Sequence, residues 1–229
     1  MDRRHFIGAA ALALGAGVAG QALAADAPAP PPPATGPVTP IQPGDMTLGD
    51  PAAKVTVIEY ASASCPHCAR FNNDVFPAFR SKYIDTGRVY YAFREFLTPP
   101  VELAAAGFLI ARCAGKDKYF NTLDGVFHAQ EEIYKTQEMK APLLKVAAAN
   151  GLSEAQVNAC MADRSAIEAL NARMKTAVEH DKVQGTPTFV INGARLVGEQ
   201  TLDQLDKAIT AAEAAAAKPA PHHRRHAHG

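Results

Sequence analysis

The stretch Val55-Thr56-Val57-Ile58-Glu59-Tyr60-Ala61-Ser62-Ala63-Ser64-Cys65-Pro66-His67-Cys68 decides how this chain is read. Its first six residues are an apolar run of strand length, rich in β-branched side chains. Its last four open a segment that reads as a helix over about residues 65–84. Pro66 suits the first helical turn, where a backbone N–H has no partner to lose, and Pro77 is expected to bend the helix further on. Two thiols separated by two residues, where a strand hands over to a helix, form a redox pair.

Outward from this junction, residues 88–96 alternate with aromatic side chains and predict a second strand. Residues 101–182 read as helical, with helices over 101–114, around 119–128, over 141–149 and over 166–182. Between the last two, Ser153-Glu154-Ala155-Gln156 is a capping box that starts the helix carrying Cys160. Residues 188–191 predict a strand, Asn192-Gly193 a tight hairpin, residues 194–197 its return and residues 202–217 a final helix. The predicted class is α/β: a β-α-β unit and a β-β-α unit split by an all-helical block over about residues 98–182.

A chain of 229 residues with 48% hydrophobic content can bury one sizeable core. Lys and Arg number 23, as do Asp and Glu, so no basic excess argues for nucleic acid. Residues 1–24 read as an export signal: Arg3 and Arg4, an apolar run, then Ala22-Leu23-Ala24 as a cleavage site. The arginine pair resembles a twin-arginine signal. Residues 25–45 read as a Pro/Ala-rich tether, 46–217 as the folded domain, and 218–229 as a tail with four histidines. Export places the body where disulfides persist, in the periplasm, tethered to the membrane if the leader is not cleaved.

Exchange chemistry needs a thiolate, and a free cysteine is mostly protonated at neutral pH. A helix starting at Cys65 places that sulfur at the positive end of the macrodipole, and His67 lies in the same turn. Both effects favour the reduced form, so the pair is expected to be a strong oxidant with Cys68 as the resolving thiol. A zinc site would need two further ligands, usually another closely spaced pair, and no second C-x-x-C exists in the sequence. A structural bridge over two residues would add almost nothing. Cys113 and Cys160 are an even remainder: either a second disulfide or two separate buried thiols. His128 and His180 read as ordinary helix residues, and Thr186-Pro187 in isolation as a turn before a strand.

Taken together, the Cys65-Pro66-His67-Cys68 motif, Phe93-Arg94-Glu95-Phe96 and Gly185-Thr186-Pro187-Thr188-Phe189 ahead of Asn192-Gly193 resemble the DsbA family of exported thiol-disulfide oxidoreductases over about residues 46–215. The resemblance implies a thioredoxin fold with a helical insertion. It implies that Pro187 is cis and packs on Cys65, that Thr186 offers its backbone to an extended substrate, and that Glu59 is a buried acid and proton relay for Cys68. The surroundings of Cys113 and Cys160 resemble a subgroup with a second, structural disulfide. Thr186 stands where the best-known oxidases of the family carry valine, and Ala61-Ser62-Ala63-Ser64 where they often carry aromatic residues. The expected function is a dithiol oxidase that donates its disulfide to exported proteins with free thiols. It is expected to be monomeric, to need no dissociable cofactor or metal, and to be reoxidised by a membrane partner of the DsbB type. The rival readings are a disulfide reductase or isomerase using the same pair, and a noncatalytic metal-binding or chaperone-like module.

Overall fold

The computed structural model describes residues 34–35 and 38–217; the residues read as an export signal, most of those read as a tether and the histidine-bearing tail lie outside them. Six strands form one sheet in the order β1-β6-β5-β3-β4-β2: β1 Ala34–Thr35, β2 Met46–Leu48, β3 Val55–Ala61, β4 Val89–Glu95, β5 Thr188–Ile191 and β6 Ala194–Val197. Among the paired strands of the described residues only β3 and β4 run parallel, and a parallel pair needs a crossover between them. That crossover is the helical run 66–84, made of α1 Pro66–Arg70, a π-helical turn Phe71–Val75, α2 Phe76–Phe79 and a second π-helical turn Arg80–Ile84. Pro77 sits in the first turn of α2, just after the first π-helical turn. The β5–β6 hairpin turns through Asn192 and Gly193, both at positive φ as the dipeptide predicts.

The all-helical block between β4 and β5 comprises α3 Val101–Cys113, a 3-10 turn Lys116–Lys118, α4 Tyr119–Thr136, α5 Lys140–Ala149, α6 Glu154–Met161 and α7 Arg164–Lys175, and α8 Leu202–Ala216 closes the chain. The capping box at Ser153 forms as read. Two helices differ from expectation. α4 continues to Thr136, well past the expected end, with Gln137 in the left-handed region as its cap. α7 starts earlier than expected because Asp163 accepts from the N–H groups of Ser165 and Ala166. α3 and α6 are joined by the Cys113–Cys160 disulfide, with Cα atoms 6.1 Å apart.

Strand alternation sorts the two faces of the sheet. Val55, Val57 and Ala61 of β3, with Val89, Tyr91 and Phe93 of β4, face the main core under α1, the insertion and α8. Ile58 and Tyr60, with Ala92 and Phe96, face a smaller core closed by Ala177 and Val183. This second face corrects the reading of residues 25–45 as a free tether. From Val38 onward the segment lies on the sheet: Val38 and Ile41 pack on the smaller core, the Thr39 N–H donates to Asp181 at 2.7 Å, and Arg94 Nη2 donates to the Pro40 carbonyl at 2.8 Å. Its Pro-rich composition gives too little apolar surface to predict packing, and buried polar groups on the far side of the sheet supply the hold instead. β2, also unforeseen, pairs with β4 on the sheet edge.

Arg94 is 8% exposed and cannot stay unpaired at that depth. It donates to Asp45 at 2.8 Å, to Asp181 at 3.3 Å and to the Tyr60 hydroxyl at 2.8 Å, and that hydroxyl donates to Asp181 at 2.6 Å. Asp181→Ala is expected to lower stability by about 3–5 kcal/mol, the scale of breaking a buried pair, as a drop in urea midpoint. Replacing Cys113 and Cys160 together by alanine should cost ~4 kcal/mol by loss of loop closure over a separation of 47 residues, read as the same midpoint.

Candidate active site

β3 ends at Ala61, and the chain crosses from the sheet to the helix through the buried residues Ser62, Ala63 and Ser64. Three other parts of the chain hold this crossing. Thr98 donates its N–H to Ser62 Oγ at 3.2 Å and accepts from Ser64 Oγ at 2.8 Å on its carbonyl. From α4, Gln130 Nε2 donates to the Ala63 carbonyl at 2.8 Å, and the Tyr134 hydroxyl donates to the Ser64 carbonyl. From α3, Gly107 lets the helix come close: a Cβ there would stand 2.9 Å from Ala63 Cβ. The insertion therefore fixes the turn that presents the cysteines.

Cys65 is the N-cap of α1, in extended conformation, with Pro66 following. Its N–H donates to the Ser62 carbonyl at 3.0 Å, and its sulfur lies 3.5 Å from the Thr186 carbonyl oxygen. The Thr186–Pro187 peptide is cis, as the resemblance implied, and so is Pro99–Pro100, which it did not. Cys68 is fully buried, and the Ser62 N–H points at its sulfur at 3.5 Å. Both cysteines are free thiols in this structure.

The two sulfurs have opposite electrostatics. The Cys68 thiol, donating to Cys65, is the largest influence bringing Cys65 down to about 5, against a burial that pushes it up. The backbone N–H groups of Cys68 and His67 pull the same way, whereas the Thr186 hydroxyl is buried without a hydrogen-bond partner among the described residues and its carbonyl is the group that faces the sulfur. Cys68 itself is pushed well up, first by burial and then by its bond to Cys65. The His67 ring is engaged elsewhere, with Nδ1 3.0 Å from Glu199 Oε2, so the part of His67 that bonds the sulfur is its backbone.

Glu59 lies on the main-core face of β3, 3% exposed, and accepts from the Tyr91 hydroxyl at 2.6 Å. Burial raises its carboxyl to about 8; the Tyr91 bond opposes this and the neighbouring Cys65 adds to it. A cavity of about 240 Å³ lined by Glu59, Tyr91, Asn72 and Asp124 separates the active-site helix from α4. Of the residues read from the sequence, Cys65, Pro66, His67, Cys68, Thr186 and Pro187 come together here. Cys113 and Cys160 form the separate bridge within the insertion. Gln130, Tyr134, Thr98, Arg70 and Glu199 went unread, since none belongs to a local motif.

The thioredoxin family profile matches residues 42–211. A Rickettsia typhi protein assigned as a protein-disulfide oxidoreductase is 31% identical over 170 residues, covering 74% of this chain and 62% of its own length. The match thus spans about three-fifths of that curated relative. Disulfide bond formation protein D of Bacillus subtilis is 30% identical over 94 residues, 41% of this chain and 40% of its own. Among solved structures, alpha-DsbA1 of Wolbachia pipientis superposes with a TM-score of 0.71 at 28% identity, covering 77% of this chain and 94% of that one. With the sheet order, the divided β-α-β and β-β-α halves and the paired thiols, these likenesses assign the chain to the thioredoxin family, in the DsbA-like form with a helical insertion.

Proposed function

We propose that this protein is an exported thiol-disulfide oxidoreductase that donates its Cys65–Cys68 disulfide to exported proteins carrying free thiols. The observation that carries this reading is the set of donors around the Cys65 sulfur. Every one of them stabilises a thiolate, and a thiolate exists only in the reduced enzyme. Stabilising the reduced form makes the disulfide a strong oxidant.

In the oxidised enzyme a substrate thiolate attacks Cys65 Sγ, forming a mixed disulfide and breaking the bond to Cys68. Cys68 leaves as a thiolate that burial strongly disfavours, so it must take up a proton. Glu59, with its carboxyl near 8, is largely protonated at neutral pH and is the acid beneath the site, where its proton can be replaced from solvent by way of the cavity. A second substrate thiolate then attacks the substrate sulfur of the mixed disulfide. Cys65 departs as the stabilised thiolate, and two electrons have passed from substrate to enzyme. In this reading an extended substrate lies along a groove beside Thr186 and the cis Pro187, and Pro66 begins the helix without an idle N–H. The chemistry uses the two thiols alone, with no dissociable cofactor or metal. Return to the disulfide falls to a membrane oxidant of the DsbB type, and the leader residues 1–24 would deliver the protein to the periplasm.

A glutathione redox titration tests the reading. The pair should equilibrate near the oxidising end of the scale, ~ −120 mV, and a value near ~ −270 mV would favour the reductase reading. In the reduced enzyme the ultraviolet absorbance of the thiolate should persist until pH falls through about 5 and be absent in Cys65→Ser. The sign follows from the lowered Cys65 value: its stabilisation of the reduced fold is complete above the ordinary thiol range of ~8.5 and disappears below about 5.

Glu59 acts in the opposite sense. Its carboxyl is raised from 4.5 to about 8, so the folded protein binds the extra proton and loses stability as pH rises between those values. Glu59→Gln is expected to stabilise the fold above pH about 8, by up to roughly 5 kcal/mol, and to have little effect below 4.5. Urea midpoints at the two pH extremes check this, and the same variant should slow formation of the mixed disulfide.

A further inference from the structure

The loop after β6 carries a charged cluster that the exchange mechanism leaves unused. Gly198 takes a φ of 88°, and its N–H donates to the Pro187 carbonyl at 2.8 Å. Gln200 is buried and donates Nε2 to the Gly198 carbonyl at 3.0 Å, and Thr201 then caps α8. Glu199 is thereby held between the cis-Pro187 loop and the active-site helix.

Its carboxylate accepts from Arg70 Nη2 at 2.8 Å and from Arg70 Nε at 3.2 and 3.3 Å, and it lies 3.0 Å from His67 Nδ1. Arg70 Nη2 stands 2.5 Å from the same Nδ1. His67 and Arg70 are three residues apart on one helical face, so one carboxylate reaches both. Both flank the thiol that must carry negative charge. Left unpaired, a guanidinium and a protonated imidazole on this short helix would each favour the Cys65 thiolate. Glu199 instead ties them to itself and adds a negative charge to the rim of the groove.

We propose that Glu199 is a positioning residue that holds the His67 ring and the Arg70 guanidinium on the groove rim and thereby restrains the oxidising strength of the Cys65–Cys68 disulfide. The inference rests on the oxidoreductase reading and adds to it a residue, on a different loop, that sets the redox balance. All three side chains are more than a third exposed, so solvent screens the cluster and the effect is moderate.

The test is the equilibrium of Glu199→Gln with glutathione. In it, two glutathione thiols reduce the Cys65–Cys68 disulfide to a Cys65 thiolate, a Cys68 thiol and one released proton, and leave as glutathione disulfide. The variant should shift that equilibrium about threefold toward the reduced enzyme, the scale of one partly solvated charge, and the Cys65 thiolate should persist to lower pH. No shift, or a shift toward the disulfide, overturns the proposal. A second comparison separates positioning from direct charge. If Glu199 acts through its two partners, Glu199→Gln should have a smaller effect in a His67→Ala, Arg70→Ala background. An undiminished effect there would assign the shift to the Glu199 charge alone and overturn the positioning role. The absolute potential of the unaltered protein tests the oxidase reading separately, because the role of Glu199 is read only from differences between variants.

Discussion

A sulfur anion that is 8% exposed is tolerable only where donors surround it, and the placement of Cys65 answers that need. The groups around it come from different sources: the Cys68 thiol one turn along and the backbone N–H groups that open α1 as donors, and the Thr186 carbonyl facing the sulfur from the loop before β5. These meet only if β3, the start of the helical run and β5 keep their register, because Thr186 lies 121 residues from Cys65. The antiparallel pairing of β3 with β5, Tyr60 opposite Thr188, sets that register. The sheet is in this sense the frame of the active site, and the hairpin to β6 extends it to Gly198 and Glu199.

The insertion serves the same end. Gln130 and Tyr134 of α4 bond the carbonyls of Ala63 and Ser64, and Gly107 of α3 allows the close contact with Ala63. A turn that carries a reactive thiol needs rigid support, since exchange depends on the angle at which the sulfur is presented. Beneath it, Glu59 accepts from the Tyr91 hydroxyl in a buried pair close enough to Cys65 for the two charges to influence each other. The opposite face of the sheet has its own polar centre, in which Arg94, Asp45, Asp181 and Tyr60 tie residues 38–45 to the domain. Polar groups are thus buried on both faces and hydrogen-bonded on each.

Much of the fold was legible because its signals are local. Strand alternation, the capping box at Ser153, the Asn192-Gly193 turn and the paired cysteines at a strand end each depend on a few adjacent residues. The misreadings have a shared cause. The extent of α4 beyond residue 128 reflects tertiary burial of Gln130 and Ile133, and polar sequence there gave little periodic signal. The hold on residues 38–45 comes from Asp181 and Arg94, neither of them a neighbour in sequence. His67 was read as an imidazole beside the sulfur, but Glu199, 132 residues away, engages its ring.

From sequence alone came the reactive pair, its place at the start of a helix and the order of elements that frames it, since these follow from short-range patterns and the helix dipole. Only the tertiary structure decided which groups surround each sulfur, that Cys113 faces Cys160, and that Glu199 joins His67 to Arg70. The reason is physical. Such contacts join residues far apart in the chain, and their geometry depends on sheet register and helix packing, which no local pattern specifies.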